Sequence, residues 1–548
     1  MKFIAKLSLV GAMLFSVASA SAQHYRFGGL MWDHDGMMSG NMYSMSQVNF
    51  GFGTARSMAM AGAFTSLGGD LSAMGINPAG LAMYRHNEIS FSPMMGFQNA
   101  DSSADTWGEN QQSRFSLSNI GATFKLYEGS SGGVVSVNAG VGYNRVADFN
   151  YRYGVSSVSG PSSSPYRSIN DAFVRQLGQG GLFPDNEGAL NYAFGDAYYW
   201  GGILAYNNWF IDAERDALGD YWTSANTIGA NASIGHSGSV ESRGSIGEVQ
   251  LALAANIANK LYVGGTIGIQ SVKWNRQYYY GEDYIYNGQQ PVYSDGTVIA
   301  EPAVWMDFNQ AVRLSGAGVN LKLGAIYRPF QALRLGVAIH TPTYYSLDRV
   351  YQAYMASNFN PNGDTTEALE DAVGNTWDFI SPTRLMLGAS YTFGRMALLS
   401  VDYERTWYNG MRVTNVPEGF DLAPKDYRAE FRNNYKGGNT LRIGGEIKPL
   451  PMVALRAGYG ISDSMLRNDS SLYYNSPTPY RTVCYSAGIG FQIKAVSLDL
   501  AYQRIENLYS AYMLYYALED NGMFDTASPS YRTHFTRDYI TLTMGYKF

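Results

Sequence analysis

Strict alternation of apolar with small or polar residues recurs along this chain, and no other feature limits its fold as sharply. At the C-terminus, Ile540, Leu542, Met544, Tyr546 and Phe548 alternate with Thr541, Thr543, Gly545 and Lys547. A period of two puts each set on one face of a strand. The pattern repeats at Leu333, Leu335, Val337 and Ile339, at Leu399, Val401 and Tyr403, at Val453, Leu455, Ala457 and Tyr459, and at Val496, Leu498, Leu500 and Tyr502. A soluble sandwich also alternates, but it turns Lys, Glu and Thr to bulk water. Here the second face is mostly Gly, Ala and Ser with an occasional Arg, Asp or Glu. Such a face suits an enclosed lumen, because on the lipid side a mid-membrane Arg or Lys costs about 2–4 kcal/mol.

The spacing of these segments carries the same message. Strands are predicted near 88–98, 114–126, 134–148, 246–257, 261–273, 311–327, 332–346, 383–393, 395–407, 439–448, 452–461, 481–493, 495–508 and 536–548, about fourteen in all. Short connections (127–133, 258–260, 328–331, 394, 449–451, 494) alternate with long ones, of which 149–245 is the largest. Short turns at one rim and long loops at the other mark a transmembrane antiparallel β-barrel. Tyr327, Phe330, Tyr391, Phe393, Phe491, Tyr546 and Phe548 fall near the short-turn rim, as an aromatic girdle would.

Residues 1–22 read as a cleavable export signal. Lys2 and Lys6 precede a short apolar stretch from Leu7 to Val17, and Ala20-Ser21-Ala22 ends it before Gln23. No later apolar run approaches the length of a spanning helix. The expected division is a signal over 1–22, a lumenal plug over 23–86 and a barrel over 87–548. With 39 Lys+Arg against 45 Asp+Glu the net charge is −6, which gives nucleic acid no footprint. One cysteine, Cys484, excludes a disulfide framework and a Cys-based zinc cluster.

The plug segment does not alternate. Residues 23–53 read as irregular; small and apolar residues then follow at helical spacing from Ala55 to Phe64, a turn at Leu67-Gly68-Gly69-Asp70, and a second short helix stopped by Pro78. Asn77, extended because a proline follows it, has a donor and an acceptor to bridge plug backbone and a lumenal charge. The run ARSMAMAGAFTSLGGDLSAMGINPAGLA, with Arg56, Gly62, Asp70, Asn77, Pro78 and Ala79, resembles the hatch of the outer-membrane long-chain fatty-acid transporters, the FadL family. The resemblance extends to the fourteen-stranded plugged barrel and to Phe548, similar to the terminal signal read by the outer-membrane assembly machinery. It implies hydrophobic compounds caught by outer loops, passed to a lumenal pocket and released sideways at a kink in the third strand. Gly140 and Gly142 on that strand would mark the opening, or merely close packing. The long loop 149–245 departs from the better-known members.

That loop also holds the candidate ligand residues. Asn170 would cap a helix from Asp171 to Leu177 ended by Gly178, and Phe173 lies on it. Tyr199, Trp200, Ile203, Leu204, Tyr206, Trp209 and Phe210 form an apolar stretch in which Tyr199, Ile203, Tyr206 and Phe210 share a helical face. They read either as an exposed groove for lipid-like molecules or as a mini-core between loop helices. Lumenal Asp402, Glu404, Arg442, Glu446, Arg456 and Asp499 would bind a carboxylate headgroup or form a structural ion ladder. No HExxH motif and no P-loop is present, and Asp33–Gly36 and 360–364 read as turns rather than calcium loops. The expectation is a monomeric outer-membrane importer without cofactor or metal, whose partners are membrane lipid, a hydrophobic ligand and the assembly machinery. The alternatives are a haem receptor, a structural barrel and an outer-membrane acyl hydrolase, for which His340 is the one strand histidine.

Overall fold

Fourteen antiparallel strands close into a barrel in the computed structural model. It describes residues 27–28, 39–47, 50, 52–129, 133–159, 168–184, 199–216, 219–223, 228–292, 296–358, 366–368, 373–416, 424–467, 481–513, 516–518, 524–527 and 530–548. The expected export signal and both turns read against calcium lie outside these.

The strands are β1 (Glu88–Ser102), β2 (Gln111–Glu128), β3 (Val134–Asp148, resuming as Tyr151–Ser159), β4 (Ser233–Ile257), β5 (Leu261–Ile285) and β6 (Trp305–Phe330). Next come β7 (Leu333–His340, resuming as Tyr344–Ser357), β8 (Val373–Ile380, resuming as Arg384–Phe393), β9 (Ala397–Trp407), β10 (Gly437–Leu450), β11 (Val453–Ser462), β12 (Thr482–Ile493), β13 (Val496–Met513) and β14 (Ser530–Lys547). Each pairs with its neighbour, and β1 closes on β14 from Glu88↔Lys547 to Ser102↔Thr533. Closure leaves no open edge to be satisfied in lipid. The connections 258–260, 331–332, 451–452 and 494–495 are tight. At the first of them Ala258 and Asn259 both have positive φ, the twist a short hairpin needs.

Hydrophobic polarity inverts partway up the wall. In the lower part the outward residues are apolar and exposed: Leu253 on β4, Ile267 on β5, Leu323 on β6 and Val337 on β7. Higher on the same strands the apolar residues face inward instead: Ile234 and Val240, Tyr278 and Tyr280, Phe308 and Val312, Tyr351 and Met355. A belt of bare Leu, Ile and Val would cost about 1.5–3 kcal/mol per side chain in water, so lipid covers it. The inversion therefore marks the upper edge of the membrane. It also explains why β4 to β7 run farther outward than expected, β4 beginning at Ser233 and β5 reaching Ile285. Where outward residues turn polar, the apolar set that marks a lipid-facing strand has changed face.

The described parts of the N-terminal segment from Ser39 onward lie against the inner wall. Phe27–Gly28 pairs with Tyr516 and Ala517 beside the long loops. Helix α1 (Ser39–Ser46) follows, in a stretch read as irregular from sequence. Below it lie one-turn helices α2 (Ala55–Met58) and α3 (Ala73–Ile76), then a 3₁₀ turn at Pro78–Met83 leading into β1. Helix α2 is shorter than the spacing suggested, because Ala61 and Gly62 have φ of 52° and 75° and turn the chain. Pro78 stops α3 and at once begins the 3₁₀ turn, with Asn77 as its cap.

Candidate functional site

The lower lumen is filled by a plug bonded to the wall all round. Thr54 caps α2, accepting from Ser57 N, and donates to Asp70 at 2.8 Å; Asp70 in turn accepts from Ser72 N. Asn77 Nδ2 donates to Thr65 O at 2.6 Å and to Ala325 O and Val337 O on β6 and β7, both at 3.3 Å, while its Oδ1 accepts from Ala79 N. Its wall partners are main-chain carbonyls, not the lumenal charge expected: the plug lies so near the wall that backbone is what Asn77 meets. Glycines make that approach possible. A Cβ at Gly324 would overlap Asn77 Oδ1, one at Gly264 would lie 2.6 Å from Pro78 C, and one at Gly336 would overlap Thr65 O.

The lumenal charges are committed to the plug or to one another. Arg56 Nε and Arg456 Nε share Glu446 Oε2 at 3.1 and 2.6 Å, and Arg456 also reaches Asp499 at 2.5 Å. Glu404 holds Arg384 and Arg442 at 2.8 and 2.7 Å, and Asp402 accepts from Thr65 N at 2.6 Å. This is the ladder of the two readings, since a buried charge without a partner is costly. His340 Nε2 bonds Ile76 O at 2.9 Å, so its ring serves the plug rather than a hydrolytic site at the lipid interface. Above the plug a cavity of about 70 Å³ is lined by Phe52, Ile76, Arg145, Lys322 and Met386. It has room for a few water molecules and none for a long acyl chain.

Higher up, the filling becomes apolar. Met42 and Met45 of α1 pack with Trp274, Trp377 and Phe379 of the wall and with Phe431 of α6 (Pro424–Asn434). Sequence reasoning missed these wall aromatics, although the inverted alternation was their signal. At the mouth sit α4 (Ile169–Gln179) and α5 (Trp200–Asn207). The cap of α4 is Ser168, not Asn170, and the helix runs past Gly178 to end at Gly180. Ser168 wins because Glu282 of β5 holds its hydroxyl at 2.6 Å and Ile169 N at 2.7 Å, fixing the helix start two residues earlier. Glu282 also accepts from Tyr280 and Tyr284. A Cβ at Gly202 would lie 2.8 Å from Leu177 Cγ, so this glycine lets α5 press on α4.

Of the candidate ligand residues, Phe173, Trp200, Ile203, Leu204 and Phe210 are fully buried in this mini-core. Phe173 lies edge-on to Phe308 at 5.6 Å, and Trp200 is 5.0 Å from Tyr351. Tyr199 and Tyr206 are half-buried, and Trp209 is 50% exposed. The exposed-groove reading is thus corrected for the five buried residues, which pack on lumenal aromatics that the sequence did not place nearby. The shared helical face also stops short: α5 ends at Asn207, and Trp209, with φ of 64°, turns the chain before Phe210.

Pairing in the wall lapses between β2 and β3. The β2–β3 ladder runs from Glu128↔Ser136 to Asn119↔Asn144 and ends there. Beyond it β3 shifts register against β4 between Arg145 and Ala147 and breaks before Tyr151. Side chains bridge the seam instead: Arg145 Nε donates to Leu117 O at 3.3 Å and Arg114 Nη1 to Asn150 Oδ1 at 2.7 Å. Gly140 and Gly142 lie below it, in the paired part of β3, where their missing side chains admit Met74. Phe548 stands exposed at the lower rim, its N–H bonded to Asn87 O at 3.0 Å.

No protein-family model and no curated protein matches the chain. Among solved structures, a FadL homologue of Pseudomonas aeruginosa matches at a TM-score of 0.52 and 13% identity, covering 90% of this chain and 98% of that one. The toluene transporters TodX of P. putida (TM-score 0.47, 14% identity, 90% and 98% covered) and TbuX of Ralstonia pickettii (0.47, 16%, 91% and 99%) also match. The first of these shows a shared fold.

Proposed function

We propose that this chain is a FadL-family protein of the outer membrane that admits hydrophobic molecules by passive diffusion, long-chain fatty acids first among them. One observation carries the reading. A Met- and aromatic-lined upper lumen lies between an apolar cap at the mouth and a wall seam above the last β2–β3 pair. A molecule that prefers hydrocarbon to water gains from each step along that route. The bonded plug below keeps water and ions from following. Exposed Trp209 is the first apolar contact from outside, and Tyr199 and Tyr206 lie behind it. The seam between Leu117 and Arg145 is the lateral exit. Gly140 and Gly142 seat the plug below that exit. The protein acts as a monomer, and the assembly machinery reads Phe548.

The test is a reversible staple across the seam. Leu117→Cys with Arg145→Cys, oxidised in the assembled protein, is expected to halt uptake of labelled oleate, and reduction to restore it. Cys484 is buried and will not compete. Full uptake through a completely cross-linked barrel would remove the lateral exit. Failure of the wild-type protein to raise uptake of either oleate or toluene would remove the transport reading itself.

A further inference from the structure

The outer wall above the membrane carries a second arrangement that the lumenal route does not use. On β4 to β7 the last wholly apolar outward rung is Val249, Ile269, Val319 and Tyr344; Val350 recurs higher, beside Arg313. Two rungs higher Lys273 stands between Ser245 and Ser315, and on the next rung Arg243, Asn275 and Arg313 sit side by side. Lys273 lies four residues beyond Ile269, about 13 Å along the strand and roughly 10 Å in height at the usual tilt, at the outer side of a headgroup layer about 5–8 Å deep. All three cations are exposed. Arg243 is held by Glu241, whereas Lys273 and Arg313 have no ion-pair partner among the described residues. The nearest acid along the rung, Asp348, accepts from Thr376 Oγ1 at 2.6 Å.

Above the cations the wall changes character again. Gln277, Asn309, Gln352, Tyr279 and Tyr354 line an outward groove of about 410 Å³ that also takes in Arg152 and Glu241, the latter paired with Arg243. Trp107 stacks on Tyr279 with ring centres 4.5 Å apart and planes 4° from parallel. Planar amides and a flat aromatic surface recognise the hydroxyls and the apolar faces of sugar rings.

Apolar belt, then unpaired cations, then amides and aromatic rings: this is the order of groups along a phosphorylated glycolipid. We propose that the outer face of β4 to β7 binds one such lipid of the outer leaflet. Its acyl chains lie on the belt, its phosphate meets Lys273 and Arg313, and its sugars lie in the groove. The proposal rests on the membrane placement and is independent of what the lumen carries.

Native mass spectrometry of the full-length, gently extracted protein tests it, with purified lipid A, dephosphorylated lipid A and lipid A bearing core sugars as probes. Wild-type protein is expected to retain phosphorylated lipid A and to prefer the form with core sugars. Lys273→Glu with Arg313→Glu should lower retention by about tenfold to thirtyfold. The milder Lys273→Gln with Arg313→Gln serves if charge reversal prevents assembly. Gln277→Ala with Gln352→Ala should remove the preference for core sugars while leaving lipid A itself bound. Oleate uptake should be unchanged in all three double variants, so failure here is distinct from failure of the transport reading. Equal retention of phosphorylated and dephosphorylated lipid, or undiminished retention by the assembled cation variants, overturns the site. So does a protein held on this face in place of any lipid.

Discussion

The lower and upper halves of the lumen are filled to similar burial with unlike chemistry. Below, Asn77, Thr65, Arg56 and Asp70 bind the plug through directed hydrogen bonds and ion pairs, and wall glycines bring backbone against backbone. Above, Phe173, Trp200, Met42 and Met45 fill space by apolar contact. Polar contacts there are fewer and scattered, among them Glu282 on α4 and the Trp274 Nε1–Ser242 Oγ bond at 2.8 Å. Directed contacts lose most of their energy when moved by an ångström, whereas apolar contacts, methionines above all, re-form in other packings. The lower half is therefore built to stay and the upper half to yield to an apolar guest.

The sharpest way to break this comparison is to remove the lower half. Deleting residues 24–80 is expected to leave an assembled, heat-modifiable barrel, because the strands close without the plug. It should turn a silent protein into one that conducts ions steadily in planar bilayers. A truncated barrel that assembles and stays silent would shift the seal to the cap.

A smaller effect is expected from the upper half. Trp200→Ala should destabilise the packing of α5 by about 3–5 kcal/mol, the usual cost of emptying a buried aromatic site. Hydrogen exchange should then quicken across α4 and α5 and remain slow in Thr54–Tyr84. Equal quickening in both would mean that cap and plug are one cooperative body. Smaller again is Asn77→Ala, which leaves Thr65 O and Ala79 N without their partner at about 1–3 kcal/mol. Bilayer recordings should show brief openings of an otherwise closed barrel, and none would mean that the remaining contacts suffice.

Alternation exposed the barrel because lipid on one side and a narrow lumen on the other force opposite residue types onto alternate positions. Strand ends were less legible. At Lys273, Asn275 and Gln277 the outward face turns polar, and the inward run Trp274, Tyr278 and Tyr280 continues the same strand in a new setting. Small residues such as Gly324 and Gly336 were visible as one face of the pattern, but their partners in the plug lie about 250 positions away and leave no local mark. Helix α1 escaped for a different reason: it has little amphipathic character, and Met42 and Met45 gain their helical form from the aromatics around them. The residues around Asn77 were legible through their resemblance to a hatch, and their wall contacts were not.

Trp209 gives the finest division between a residue that holds the cap and one that meets the ligand. It follows α5 directly, carries φ of 64°, and leaves half its surface to solvent, while its neighbour Phe210 is sealed against Tyr284 with ring centres 6.2 Å apart. Replacing a half-exposed side chain that anchors nothing changes stability by no more than about 0.5 kcal/mol. Trp209→Ser should therefore leave hydrogen exchange in α4 and α5 unchanged and still slow oleate uptake at low concentration, where capture from water limits the rate. Phe210→Ser should do the reverse in kind, loosening the cap first and changing uptake only through that loss. If Trp209→Ser leaves low-concentration uptake intact, capture lies elsewhere on the outer loops; if it loosens the cap as Phe210→Ser does, the boundary between holding and catching residues is not at this turn.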